Sequence, residues 1–287
     1  MRSKPKKSDI EFNRCIIFNS LAYFVIAYYL VVFSFNIVSM LIANKLGFDV
    51  ELFYYGFTHS GKKWTTDNVI FVFFLGNAFT LLTAVIFQYL YSKQRRYTKG
   101  VKLLYMWIYL ISLIWFCGNI IIGAIFNFGI GTAMRYFGIP FFLRALLAAV
   151  TIVTLVYFGY RAQKHVMVSA NLYVPKLDSR NFTGFFMYQI VIPILLGLVI
   201  IVLMKLPEIA RYRYADILLL LSFIFFIFGL FFKRKSLESI RFKSHHSTKK
   251  MLKTKNCKVA VIPIVLMFIV LAIVRIGLMN GVKIDAF

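Results

Sequence analysis

The chain has 287 residues, of which 61% are hydrophobic and 15% are charged, and its mean hydropathy is +0.78. This composition excludes a water-soluble domain, because the apolar fraction far exceeds that of soluble proteins. The formal net charge is +24, which in a membrane protein reflects basic cytoplasmic loops lying against anionic lipid headgroups. We therefore expect membrane lipids, and not nucleic acid, as the partners of this charge.

Seven apolar stretches follow one another along the chain, each about 20 residues long or longer and able to cross roughly 30 Å of hydrocarbon. They lie at residues 15–44, 69–91, 103–125, 139–160, 183–204, 215–232 and 259–281. The first stretch is the longest, and an eight-span alternative divides it in two. The pattern predicts an all-α polytopic membrane protein with about seven transmembrane helices.

The connections between these stretches alternate strongly in basic content. By this division 24 of the 34 Lys and Arg residues lie on one side and eight on the other, while Arg144 and Arg275 fall inside stretches. The positive-inside rule then predicts a cytoplasmic N-terminus and an external C-terminus. The Lys- and Phe-rich composition, without eukaryotic targeting motifs, favours a bacterial inner membrane.

The same division predicts five regions along the chain, none of them long and polar enough to be a soluble domain. They are a basic cytoplasmic N-terminus at residues 1–14, a four-helix membrane core at 15–160, a cytoplasmic loop at 161–182, a three-helix membrane region at 183–287, and within it a basic cytoplasmic loop at 233–258.

Polar side chains inside hydrocarbon are costly, so those within the stretches are the candidates for a site. Asn36, Asn77, Asn119 and Arg144 share a depth in the outer half and predict a polar layer. The alternative is that the amides bond across helices and that the arginine extends its charged group to the interface.

A second candidate is an ion pair at the outer face. Asp216 opens the sixth stretch and Arg275 closes the seventh, so either Arg144 or Arg275 is a reasonable partner for the carboxylate.

Recognisable catalytic groups are missing from the stretches. The histidines, His59, His165, His245 and His246, fall in predicted loops without zinc-ligand spacing, and no intramembrane carboxylate pair is present. Cys15, Cys117 and Cys257 are widely spaced, which predicts reduced structural thiols. We expect no catalytic residue, no metal and no cofactor.

One region nevertheless resembles the site-two-protease-like intramembrane zinc metalloproteases. The segments are Phe35-Asn36-Ile37-Val38-Ser39, Leu41-Ile42-Ala43, Leu46-Gly47-Phe48-Asp49-Val50 and Leu75-Gly76-Asn77-Ala78-Phe79-Thr80-Leu81-Leu82. Residues 52–64 read as two short strands about Ser60 and Gly61, where that family has a β-hairpin. The likeness covers about half of the chain, roughly residues 29–160.

The resemblance implies a degenerate family member. Phe35, Asn36 and Ser39 occupy the positions where the family would place His, Glu and His, and residues 127–132 contain no carboxylate where its later Asp is expected. Such a protein would keep a peptide-accommodating scaffold without binding zinc.

The leading hypothesis is thus a non-catalytic multi-pass membrane protein that binds a partner or a peptide within a membrane complex. A small-molecule or lipid transporter is one alternative, for which Pro140, Pro193 and Pro263 are candidate helix breakers. An intramembrane or lipid-modifying enzyme that uses Arg144 and Asp216 is the other.

Overall fold

The computed structural model describes residues 7–61, 63–94, 100–126, 128–170, 173, 176–207, 219–232, 239–241 and 260–283. Most of them are helical. The helices are α1 (Lys7–Lys45), α2 (Thr66–Lys93), α3 (Val101–Phe126), α4 (Ile130–Tyr136), α5 (Phe141–Ser169), α6 (Ser179–Phe186), α7 (Ile192–Lys205), α8 (Phe223–Phe231) and α9 (Val261–Ala272). The strands are β1 (Asp49–Phe53), β2 (Gly56–Ser60), β3 (Lys176–Asp178), β4 (Ser239–Arg241) and β5 (Val282–Lys283).

Five helical segments are long and apolar enough to cross a membrane, which indicates that the chain inserts into one. They are Asn13–Lys45, Thr66–Lys93, Val101–Phe126, Phe141–Ser169 and Phe182–Lys205. Two shorter apolar segments, Leu219–Phe231 and Val261–Gly277, fall within the other two predicted spans. Helix α1 is a single continuous helix of 39 residues, without the division that the eight-span alternative requires.

Helices α1 and α3 form the centre of the bundle. Helix α1 packs against α2, α3, α7 and α9, and α3 packs against α1, α2, α4 and α5. Aromatic rings fill the space between them, with Phe24 edge-on to Trp107 at 5.0 Å between ring centroids and Tyr28 edge-on to Trp115 at 6.2 Å. The outer helices expose apolar side chains instead, as Val153 of α5 does at 69%, and such faces are stable against lipid.

Contacts between helix ends relate the directions of the first apolar segment and the last three. Strand β5, which follows the last helix, pairs antiparallel with β1, which follows α1. Strand β3, which precedes α6, pairs with β4, which follows α8. We call these two ends of the bundle the hairpin end and the β3–β4 end. Near the latter end the backbone N–H of Ala260 donates to Asn19 Oδ1 at 2.8 Å, so α9 starts beside the first half of α1.

A π-helical turn at Met187–Val191 joins α6 to α7 and has a local cause. Pro193 has no N–H to donate to the Gln189 carbonyl four residues earlier, so that oxygen loses its helical partner. Ser20 Oγ on α1 donates to it at 2.6 Å instead. The predicted break at Pro193 is therefore a local widening, across which the helix continues.

The predicted β-hairpin is present, but the predicted turn is wrong. The chain turns at Tyr54 and Tyr55, and Phe53 pairs with Gly56. Glycine suits this turn because Gly56 has φ of 149°. Val50, Leu52 and Tyr54 alternate with more exposed residues and bury one face of the hairpin. With a turn at Ser60 and Gly61, strand β1 would have no partner strand in the hairpin.

The prediction of three reduced cysteines is also wrong for one of them. Cys15 is disulfide-bonded, whereas Cys117 is a free and buried thiol. Cys257 lies outside the described residues. Spacing along the chain carried no signal here, because disulfide formation depends on the distance between residues in the fold.

Candidate functional site

Three residues of the predicted polar layer lie on α1, α2 and α3, which pack together, and the fourth, Arg144, lies on α5. Asn36, Asn77 and Asn119 are 7%, 1% and 3% exposed. Asn77 Nδ2 donates to the Phe116 carbonyl at 3.4 Å, and Asn119 Nδ2 donates to the neighbouring Trp115 carbonyl at 3.0 Å. The Asn77 bond joins α2 to α3 and serves helix packing, whereas the Asn119 bond lies within α3, four residues back along the same helix.

Phe35 and Ser39, two of the three positions where the predicted resemblance would place zinc ligands, both approach Gly76 of α2. A Cβ atom added to Gly76 would stand 2.1 Å from Ser39 Oγ and 3.1 Å from a ring carbon of Phe35. The Phe35 ring in turn lies 5.9 Å from that of Trp115. These positions therefore hold a phenyl ring and a hydroxyl in close contact with a glycine.

The arginines of the predicted outer ion pair have different neighbours. The Arg275 guanidinium donates to the Met204 carbonyl at 3.1 Å and lies 4.4 Å from the centre of the Tyr54 ring. Arg144 is half-buried, with its guanidinium 5.7 Å from the centre of the Phe141 ring. Asp216 lies outside the described residues, so its pairing stays a prediction.

A three-stranded sheet in the order β2-β1-β5 covers the hairpin end. Lys283 Nζ of β5 lies 3.2 Å from Glu51 Oε1 of β1. Trp64 Nε1 donates to His59 Nε2 at 3.0 Å, which requires a neutral imidazole. Partial burial of the ring lowers the pKa of His59 from its ordinary value, which favours the neutral imidazole that this bond needs.

Strand β2 has one open edge among the described residues, since its only partner there is β1. In a hairpin with a two-residue loop, the two residues beside the loop exchange both of their backbone hydrogen bonds. From there, non-hydrogen-bonded and hydrogen-bonded residue pairs alternate along the two strands. Phe57 and His59 therefore direct their backbone N–H and C=O groups away from β1. Thr58, His59 and Ser60 are exposed, so this edge is accessible to another extended chain.

The structure also brings together a cluster that sequence reasoning missed. At the β3–β4 end, Tyr91 Oη donates to the His165 carbonyl at 2.6 Å, and Tyr109 Oη lies 3.2 Å from His165 Nδ1. Lys102 Nζ lies 4.6 Å from the centre of the Tyr91 ring. His165 alone was named from the sequence, as a loop residue. The shared position of these residues at the basic ends of neighbouring spans was the available signal.

The described part of the chain contains no group of three His, Cys, Asp or Glu side chains that could hold a metal ion. Apolar helices of spanning length with polar groups buried between them define the chain as a polytopic helical membrane protein. Comparisons with protein-family models, with curated proteins and with solved structures give no match.

Proposed function

We propose that this protein is a non-catalytic subunit of a membrane complex, on a scaffold similar to that of the site-two-protease-like family. The main support is the contact of Phe35 and Ser39 with Gly76. Two positions that would carry metal ligands in that family approach the same point of α2 but carry side chains that serve packing. A scaffold of this kind acts by binding.

The proposed binding surface is the open edge of β2, and the proposed occupant is an extended segment of a membrane-protein partner. An exposed strand edge recognises such a segment by adding it to the sheet through backbone hydrogen bonds. The other edge of the sheet supports this mode, because β1 already accepts Val282 and Lys283 as a short added strand.

Photocrosslinking tests this proposal. A photoreactive amino acid at Thr58, which is exposed on β2, is expected to give a discrete adduct with one membrane protein in native membranes. His59→Pro removes a backbone donor from the open edge and should reduce the adduct at least about fivefold. His59→Ala is the matched control, since it keeps the N–H and should leave the adduct nearly unchanged.

Two outcomes would overturn the binding mode. One is an equal loss of the adduct in His59→Ala and His59→Pro, which would assign recognition to the imidazole. The other is a set of adducts from Thr58 that matches those from a probe at Val153, which faces outward on α5 at 69% exposure.

We further propose seven spans, a cytoplasmic N-terminus and an external C-terminus in a bacterial inner membrane. The directions of the first apolar segment and the last three support the span count, and the 24 basic residues of one side support the orientation.

Cysteine labelling in intact cells tests this topology. Cysteines at Lys63 and Lys283, both exposed at the hairpin end, should react with a membrane-impermeant maleimide. Cysteines at Arg14 and Lys93, exposed at the other end, should react only after the membrane is opened. The topology would be refuted if cysteines at Lys63 and Lys93 reacted from the same side of the membrane. The same holds for cysteines at Lys63 and Lys249.

A further inference from the structure

A cavity of about 290 Å³ opens beside His165 at the β3–β4 end of the bundle. Helices α2, α3, α5 and α8 each contribute to its wall, so it is built by the tertiary fold and not by one helix face. Its polar wall consists of Gln88, Tyr109, Arg161, Lys164 and His165. The volume lies near the lower end of the range for ligand pockets, which suits a headgroup or a small anion.

The charges of this wall have one sign. Lys164 and His165 lie three and four residues after Arg161, so each of them neighbours Arg161 on the surface of α5. Arg161 and Lys164 are exposed, and no carboxylate is among the described residues that line the cavity. Two adjacent cations without a lining carboxylate attract an anion, and a guanidinium with an ammonium is a pair suited to phosphate oxygens.

The neutral polar groups are held in place by buried contacts. Tyr109 is 4% exposed, and its hydroxyl lies 3.2 Å from His165 Nδ1. When this phenol donates to Nδ1, the imidazole carries its proton on Nε2 and keeps one donor for a ligand. The bond from Tyr91 Oη to the His165 carbonyl, 2.6 Å long, fixes the backbone beneath the ring.

The remaining wall is apolar. Leu110 and Leu113 of α3, Phe158 of α5 and Phe226 of α8 line the cavity beside the cations. A soluble anion gains nothing from such surface, whereas a lipid places its phosphate near the basic groups and its acyl chain along the apolar ones.

We propose that this cavity is a binding site for the phosphate headgroup of an anionic phospholipid. Arg161 and Lys164 bind the phosphate, while Tyr109 positions His165 as a further donor. The site is separate from the open edge of β2 at the hairpin end.

The test is native mass spectrometry of the full-length protein, with phosphatidylglycerol or phosphatidylcholine added in mild detergent. One phosphatidylglycerol should remain bound per chain, in preference to phosphatidylcholine. Arg161→Gln combined with Lys164→Gln should weaken this binding about tenfold or more, because each lost charged hydrogen bond contributes substantially. The matched control, Arg14→Gln with Lys93→Gln, removes two exposed charges from the same end and should change binding less than about twofold.

Further measurements separate the sources of the phosphate and the role of Tyr109. Excess inorganic phosphate should fail to displace the lipid; displacement would assign the site to free phosphate and overturn the lipid proposal. Tyr109→Phe removes the hydrogen bond to His165 and should weaken lipid binding, while thermal melting without lipid should fall only slightly, as the loss of one hydrogen bond requires. Equal losses in the two double variants, or no preference for phosphatidylglycerol, would show general charge attraction and overturn the site.

Discussion

Gly229→Ala is expected to destabilise the bundle by about 3 kcal/mol, the upper part of the range for an overpacked interior. A Cβ atom at Gly229 would stand 2.0 Å from the Val156 carbonyl oxygen and 3.1 Å from the Gly159 Cα. These obstacles are backbone atoms, which cannot move aside as a flexible side chain does. Helices α5 and α8 would have to separate, with loss of the hydrogen bond from Gln163 Nε2 to the Gly229 carbonyl, 3.3 Å long.

Thermal melting in mild detergent measures this effect. A loss of about 3 kcal/mol corresponds to a fall in Tm of about 6–12 °C for a chain of this size. Gly277→Ala is the matched control, because a Cβ atom there meets no atom within 4 Å and should leave Tm unchanged or slightly raised. Equal Tm values for Gly229→Ala and the unaltered protein would contradict the close approach of the two helices.

Arg275→Ala is expected to loosen the hairpin end and to cost about 2 kcal/mol. The guanidinium joins three parts of the fold, since it extends from the end of the last helix to the Met204 carbonyl and to the Tyr54 ring. The backbone N–H of Tyr54 donates to the Leu278 carbonyl at 3.2 Å. Loss of the Arg275 guanidinium therefore weakens the contact between the hairpin and the segment that leads to β5.

Hydrogen exchange and thermal melting both report on this change. Exchange should increase at residues 49–60 and 278–283 in Arg275→Ala, with a smaller increase in Arg275→Lys, which keeps the charge but not the planar group. Arg135→Ala is the matched control, because Arg135 is an exposed cation at the end of α4. An unchanged exchange rate at β1 and β5 in Arg275→Ala would contradict the proposed linkage.

The helices were largely predictable, and the exceptions have physical causes. The stretch predicted at 103–125 agrees closely with the observed helix Val101–Phe126. The agreement follows because hydropathy measures the free-energy cost of leaving apolar residues in water. Helix α5 runs nine residues past its predicted end at Tyr160. Val166 and Met167 there are fully buried against the bundle, and this packing stabilises helix beyond the apolar stretch.

The candidate sites were less predictable, because they depend on which helix faces meet. Depth along each span identified Asn77 and Asn119 as buried polar groups, but not that both bind carbonyls of α3. Their role as a functional layer with Asn36 and Arg144 stays a prediction. The cavity at His165 had no signal in any one segment, since its wall is shared by four helices.

By itself the sequence determined the class of this protein, a polytopic helical membrane protein, and the course of its apolar helices. Both follow from local quantities, namely the apolar content of each stretch and its length against the thickness of a bilayer. Only the tertiary structure decided the turn of the hairpin, the pairing of β5 with β1 and the meeting of Tyr109, Arg161 and His165. These depend on contacts between residues far apart in the chain, for which hydropathy and spacing carry no information.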